Sequence, residues 1–146
     1  MTDAAFKLLV DWRLYEASLA LGHPLPVTWD VGSFHHFSSA RGFGVTLYTE
    51  GEPTARMRFA RKLRRQPLHR VEGVVRHEIG HAVDHLAPAG ALDAWALGRS
   101  VILAKTPERR ADDIAYAIWY RPISYDAQLV QSTSEGVMPR PAHLGL

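Results

Sequence analysis

The 146-residue chain contains no cysteine, which removes disulfide staples, cysteine-ligated structural zinc and thiol nucleophiles together. Any metal it binds must be held by His, Asp or Glu. No segment approaches the roughly 18 consecutive apolar residues of a membrane-spanning helix, and the opening MTDAAFK lacks the basic-then-apolar order of a secretory leader. These absences predict a cytoplasmic protein without membrane association, and export by another route is compatible with them. Internal repeats and low-complexity tracts are also lacking. A chain of this length buries about two-thirds of its unfolded surface without staples. The expected organisation is a single domain over residues 1–131, followed by a loosely held tail, 132–146, in which Ser, Pro and Gly accumulate.

Among the residues present, His77-Glu78-Ile79-Gly80-His81 carries the most chemistry. H-E-x-x-H on a helix sets two imidazoles on one face, at metal-binding distance, with a carboxylate beside them. The surrounding Leu68–Leu86 stretch has no Pro and places Val71, Val74, Val75, Ile79, Val83 and Leu86 at three- and four-residue spacings, the signature of an amphipathic helix. At ~100° per residue the apolar side packs on a core while His77, His81 and His85 share the other side, with Glu78 at the border. The pattern predicts a zinc hydrolase.

The rest of the chain reads as α+β. Ala4–Leu21 has helical periodicity through Phe6, Leu9, Val10, Leu14 and Leu19, and ends at Gly22-His23-Pro24. Val27–Trp29 and Gly44–Tyr48 are strand-like, separated by a loop over Gly32–Gly44, and Arg56–Ala60 is expected to pair back across the Gly51-Glu52-Pro53 turn. Downstream, Leu92–Leu103 predicts a short helix. Thr106-Pro107-Glu108 predicts an N-cap followed by Pro at N1, opening a helix to about Tyr120, with one or two further turns in Ser124–Gln131. The expected architecture is a small, mostly antiparallel sheet against the motif helix, completed by a helical C-terminal half.

A catalytic zinc takes three protein ligands and a water, so a third group is needed. A metzincin would place a third histidine where this chain has Ala87, and a glycine where it has Asp84. Glu108, 27 residues after His81, is the better ligand. Asp112 follows it by four residues, about 40° away on the same helical face, and could fix the tautomer of His77 or His81. Asp84, three residues past His81, could orient an imidazole or lie in solvent. His85 is a ligand if Glu108 is not, although three histidines at i, i+4 and i+8 of one straight helix can hardly surround one ion. His23, His35, His36 and His69 carry no ligand spacing. Tyr116, Tyr120 and Tyr125 are candidate donors to a developing oxyanion.

H-E-x-x-H followed by E-x-x-x-D on a later helix resembles the gluzincins, and the compact size resembles the minigluzincins. Within that group, HEIGHAVD (77–84) and ERRADDIA (108–115) are most similar to the ImmA/IrrE-type metallopeptidases, whose second motif runs E-x-x-A-N-x-F-A. The resemblance spans roughly residues 44–122. Asp112 stands at the Asn position, and Tyr116-Ala117-Ile118-Trp119-Tyr120 replaces the usual aliphatic run. A second resemblance, through His81-Ala82-Val83-Asp84, is to the anthrax lethal factor-like group with the Pro-Pro endopeptidases, which place the third-ligand Glu farther downstream. The resemblance implies a zincin-like fold, one Zn2+ on His77, His81 and Glu108, and peptide hydrolysis with Glu78 as general base.

Net charge is only +2, yet Arg56, Arg58, Arg61, Lys62, Arg64, Arg65, Arg70 and Arg76 place eight of the 17 basic residues within 21 positions. Such a field suits an acidic peptide or protein substrate, or a nucleic acid bound through Arg56–Arg70. It also suits a solvated strand edge whose charges oppose aggregation. An extended substrate is expected to add to a sheet edge, at Gly44–Tyr48 or Arg56–Ala60. The alternative function is a DNA- or RNA-associated regulator, or a phage or mobile-element protein, using a zincin core as sensor or scaffold.

Overall fold

A computed structural model describes residues 1–32, 42–88 and 90–123. The proposed turns in 124–131, Tyr125, the tail 132–146, and His35 and His36 lie outside the described residues. The described chain is a small α+β fold of four helices and a three-stranded sheet. In order these are α1 (Asp3–Leu21), β1 (Val27–Gly32), β2 (Gly44–Leu47), β3 (Ala55–Ala60), a short 3-10 turn (Arg61–Arg65), α2 (Leu68–Leu86), α3 (Ala91–Gly98) and α4 (Pro107–Trp119).

Local chemistry sets most of these boundaries. Thr2 caps α1 by accepting from the Ala5 amide at 3.1 Å, and Gly22 ends the helix in a left-handed conformation at φ 81°. Pro67 precedes α2, and Pro88 follows it by two residues. Thr106 occupies the N-cap position of α4 and Pro107 its first turn, but the Thr106 hydroxyl makes no capping bond. Only α3 departs clearly from expectation. It stops at Gly98, where Ser100 turns left-handed at φ 64° and the Ser100 and Val101 amides close on the Leu97 and Ala96 carbonyls, and the chain runs on irregularly to Lys105.

Pairing corrects the expected mostly antiparallel sheet. The strand order is β1-β3-β2. β2 and β3 are antiparallel as read from the turn between them, with Thr46 opposite Met57, whereas β1 joins β3 in parallel over six residues, Val27 opposite Ala55 to Gly32 opposite Ala60. Arg56–Ala60 is therefore the central strand, its ladder filled on both sides, and cannot accept a substrate strand. β2 is an edge among the described residues.

One sheet face carries Met57 and Phe59, both fully buried, and receives α1 through Phe6 and α2 through Val71, Val75 and Ile79. Phe6, Trp29 and Phe59 form an aromatic cluster with centroids 5.5–6.1 Å apart. The second face of α2 is closed by α4, which buries Ala111, Ile114, Ala115 and Ile118. That helix pair positions the site. No helix among the described residues is long and apolar enough to cross a membrane.

Candidate metal centre

Two helices and one strand build the site. α2 presents His77, Glu78 and His81, α4 brings Glu108 and Asp112 across from its first two turns, and β2 lays Thr46 against Glu78. The approach of α4 depends on Gly80: a Cβ there would lie 2.2 Å from the Ala111 carbonyl oxygen. β2 is admitted similarly, because a Cβ at Gly44 would fall 2.9 Å from Val74 Cγ1 and 3.0 Å from Glu78 Cγ.

The carboxylate of Glu108 bridges the two imidazoles, Oε2 lying 2.9 Å from His77 Nε2 and Oε1 3.1 Å from His81 Nε2. The two rings meet edge to face, centroids 4.6 Å apart. One ligand atom from each of His77, His81 and Glu108 lies within 4.8 Å of the others. A tetrahedral zinc with bonds near 2 Å needs donors about 3.3 Å apart. The donor set, two imidazoles and one carboxylate converging from two helices, is of the kind and spacing that could hold such an ion.

Asp112 accepts from His77 Nδ1 at 2.7 Å, the arrangement of a carboxylate behind a metal-binding imidazole, in which Nε2 would be the ligand atom. Burial pulls the His77 pKa down, but Asp112 and Glu108 outweigh it and hold the metal-free imidazole up at about 10. Glu108 is held down at about 2, chiefly by its hydrogen bond to His77. Glu78 is nearly sealed, 6 % exposed. Burial raises its carboxyl above the usual range, with His77, Thr46 and His81 pulling partly the other way. Thr46 Oγ1 lies 2.8 Å from Glu78 Oε1 and 3.0 Å from the Glu78 carbonyl oxygen, so the side chain of the carboxylate is fixed from the strand.

The structure thus brings together His77, Glu78, His81, Glu108 and Asp112. The remaining candidates go elsewhere. Asp84 does not orient His81; its Oδ1 accepts from Arg110 Nε at 2.8 Å, and Arg110 also pairs with Asp93, tying α2, α3 and α4 together. His85 is engaged by the Glu52 carbonyl at 2.7 Å and stacks on Tyr48, which pins the β2–β3 turn to the end of α2. Tyr116 and Tyr120 lie two and three turns beyond Glu108, about 12 and 18 Å along the helix axis. Their rings meet edge to face, and Tyr120 Oη donates to the Arg99 carbonyl at the C-terminal end of α4, so neither is placed at the metal group. His69 lies in the first turn of α2, away from the ligand group.

Thr46, Gly80 and Gly44 were not legible as site residues. Gly80 carried a signal, since Gly inside a helix costs ~1 kcal/mol and is kept where a backbone comes close. Thr46 carried none, because its partner is 32 residues away.

Several charges of the basic segment are satisfied within the chain. Arg56 and Arg58 face Asp30, Arg64 pairs with Asp3, Arg70 donates to Gln66 at 2.6 Å and Arg76 donates to the Glu72 carbonyl at 3.2 Å. Arg61, Lys62 and Arg65 on the 3-10 turn remain exposed.

No family model, curated protein or solved structure matches this chain in the comparisons made.

Proposed function

We propose that the protein is a zinc-dependent metallopeptidase of minigluzincin type, its metal held by His77, His81 and Glu108. One observation carries this reading: a buried carboxylate, Glu78, sits beside a group of two imidazoles and a carboxylate whose donor atoms already converge within 4.8 Å. The chemistry supplied by a bound zinc would be Lewis acidity, lowering the pKa of a coordinated water towards ~7 and polarising a peptide carbonyl. Glu78 accepts the proton of the attacking water and returns it to the leaving amine. Its raised carboxyl suits the first half of that shuttle, because a carboxylate lifted above its usual range is a stronger base towards the attacking water. Asp112 keeps His77 oriented, and Thr46 keeps Glu78 turned towards the ligand group. An extended peptide has β2 as its edge, consistent with the ladder of β3 being full on both sides.

The similarity to the ImmA/IrrE-type peptidases rests on the two motifs, which the fold brings to one place. Metal content of chelator-free protein tests the reading: about one zinc per chain in the wild type and none in Glu108→Ala. A wild type that refuses zinc overturns it. Salt-dependent nucleic-acid binding that survives zinc removal would support the regulator alternative instead.

A further inference from the structure

α1 has two apolar faces, and only one is used. Phe6, Val10 and Ala17 are buried against the sheet and α2. On the opposite side Leu8, Trp12, Tyr15 and Leu19 are 72 %, 57 %, 52 % and 63 % exposed. At ~100° per residue these four lie within about 60° of arc, centred nearly opposite the buried face. Leu19, one of the apolar residues in the helical pattern of this segment, is the last member of this outer stripe.

The spacing identifies what the stripe fits. The stripe they trace is only about 60° wide, the narrow seam of a helix-to-helix contact and not the arc of 100° or more with which a helix packs on a core. The order Leu-x3-Trp-x2-Tyr-x3-Leu is also the same read in either direction, by class of side chain. Two copies of α1 crossing antiparallel about a two-fold axis between residues 13 and 14 would set Leu8 against Leu19 of the second copy and Trp12 against Tyr15. A two-fold interface requires such self-complementarity.

The borders of the stripe agree with this. Asp11 is held by Lys7 at 2.6 Å and by the Trp29 indole N–H at 2.9 Å. Glu16 is held by Arg13 at 2.5 Å and by the Trp119 indole N–H at 3.2 Å. The flanking carboxylates are therefore each partnered within the chain, as are Lys7 and Arg13, whereas a membrane-surface helix presents a free cationic rim. Trp12 and Tyr15 already pair with each other, ring centroids 5.6 Å apart and planes tilted by 37°. Four side chains with more than half their surface in water offer on the order of 500 Å2 per chain, so a pair reaches roughly 1,000 Å2, the threshold of a specific interface.

We infer that the outer face of α1 is a self-association surface, forming a weak antiparallel α1–α1 dimer of this chain through Leu8, Trp12, Tyr15 and Leu19. The metal group lies on α2 and α4, outside the paired surface, so the dimer leaves it accessible.

Sedimentation equilibrium of the full chain over about 1–200 µM tests this. The expected result is a mass rising from 16.3 kDa towards twice that value, with half-association at about 10–100 µM. Leu8→Glu/Leu19→Glu, two exposed positions, should stay at 16.3 kDa with unchanged circular dichroism. Because the chain lacks cysteine, Leu8→Cys mixed with Leu19→Cys should give an oxidised cross-linked dimer in preference to either variant alone. A wild type monomeric at 200 µM overturns the inference, as does a dimer indifferent to the double variant. A monomer that co-sediments with phosphatidylserine-containing vesicles through the same face overturns it in favour of a membrane role. Preferential Leu8→Cys self-cross-linking overturns the antiparallel arrangement.

Discussion

Gly80 sits so close to Ala111 that a single added methyl would reach 2.2 Å from the Ala111 carbonyl oxygen. The contact is backbone on one side, so it cannot be relieved by turning a side chain. It sets the separation of α2 and α4, and through it the distance from His77 and His81 to Glu108 and Asp112. Gly80→Ala is expected to destabilise the metal-free protein by about 1–3 kcal/mol, the usual range for overpacking, despite a helix-propensity gain of up to ~1 kcal/mol. Urea unfolding with and without zinc checks this. The loss of zinc affinity should exceed that of Gly98→Ala, where an added Cβ meets nothing within 4 Å.

Glu78→Gln separates the chemistry from the site. Glu78 is buried but not placed as a ligand, so the variant should keep about one zinc per chain while any peptidase activity falls about 10²- to 10⁴-fold. Burial opposes the charged form of Glu78. Removing that charge should therefore leave the metal-free variant at least as stable as wild type at pH 7, measured by thermal unfolding. Retained activity would dismiss Glu78 as the base.

Zinc loading should expel a proton from His77. The metal-free imidazole is protonated up to about pH 10, and only its neutral form binds metal. Apparent zinc affinity should then rise with pH, up to ~10-fold per unit between about 7 and 10. Calorimetry in buffers of different ionisation enthalpy should count about one proton released at pH 7.5. No buffer dependence would mean that His77 is already neutral.

The stability of the metal-free protein should depend on pH at both ends. His77 is raised above its unfolded value of 6.5, so its contribution is full below pH 6.5 and is lost as pH climbs through about 10. Glu108 is lowered from 4.5, so its contribution is present above pH 4.5 and is lost as pH falls towards about 2. Denaturant midpoints across pH 2–10.5 should form a dome, and Asp112→Asn should flatten its alkaline limb. The same variant should weaken zinc binding about 10- to 100-fold.

Thr46→Val tests the strand's hold on Glu78. Loss of the 2.8 Å contact should lower kcat about tenfold with KM and zinc content little changed, and Thr46→Ser should restore it. A fall in zinc content instead would show that Thr46 supports the helix and not the carboxylate.

The short-range features of this protein were written in its sequence. α2 spans Leu68–Leu86 as the spacing of Val71, Val75 and Ile79 required, and Pro107 opens α4 because its fixed φ suits a first helical turn. His77, Glu78 and His81 share one helix, so a pattern of five letters fixes their geometry, and the four-residue step from Glu108 to Asp112 does the same on α4. What the sequence could not determine is which separated pieces meet. The parallel β1–β3 ladder depends on a crossover, so local turn chemistry between β2 and β3 suggested an antiparallel sheet throughout. Asp84 and His85 have the residue types of a metal site, but Arg110 and the Glu52 carbonyl claimed them, and those partners are 26 and 33 residues away. α1 carries apolar residues on two opposite sides, and only packing decides that the sheet covers the side of Phe6 and leaves that of Leu19 in water. The meeting of Glu108 with the two histidines likewise depends on a Gly80–Ala111 approach that is a property of two helices, not of either segment alone.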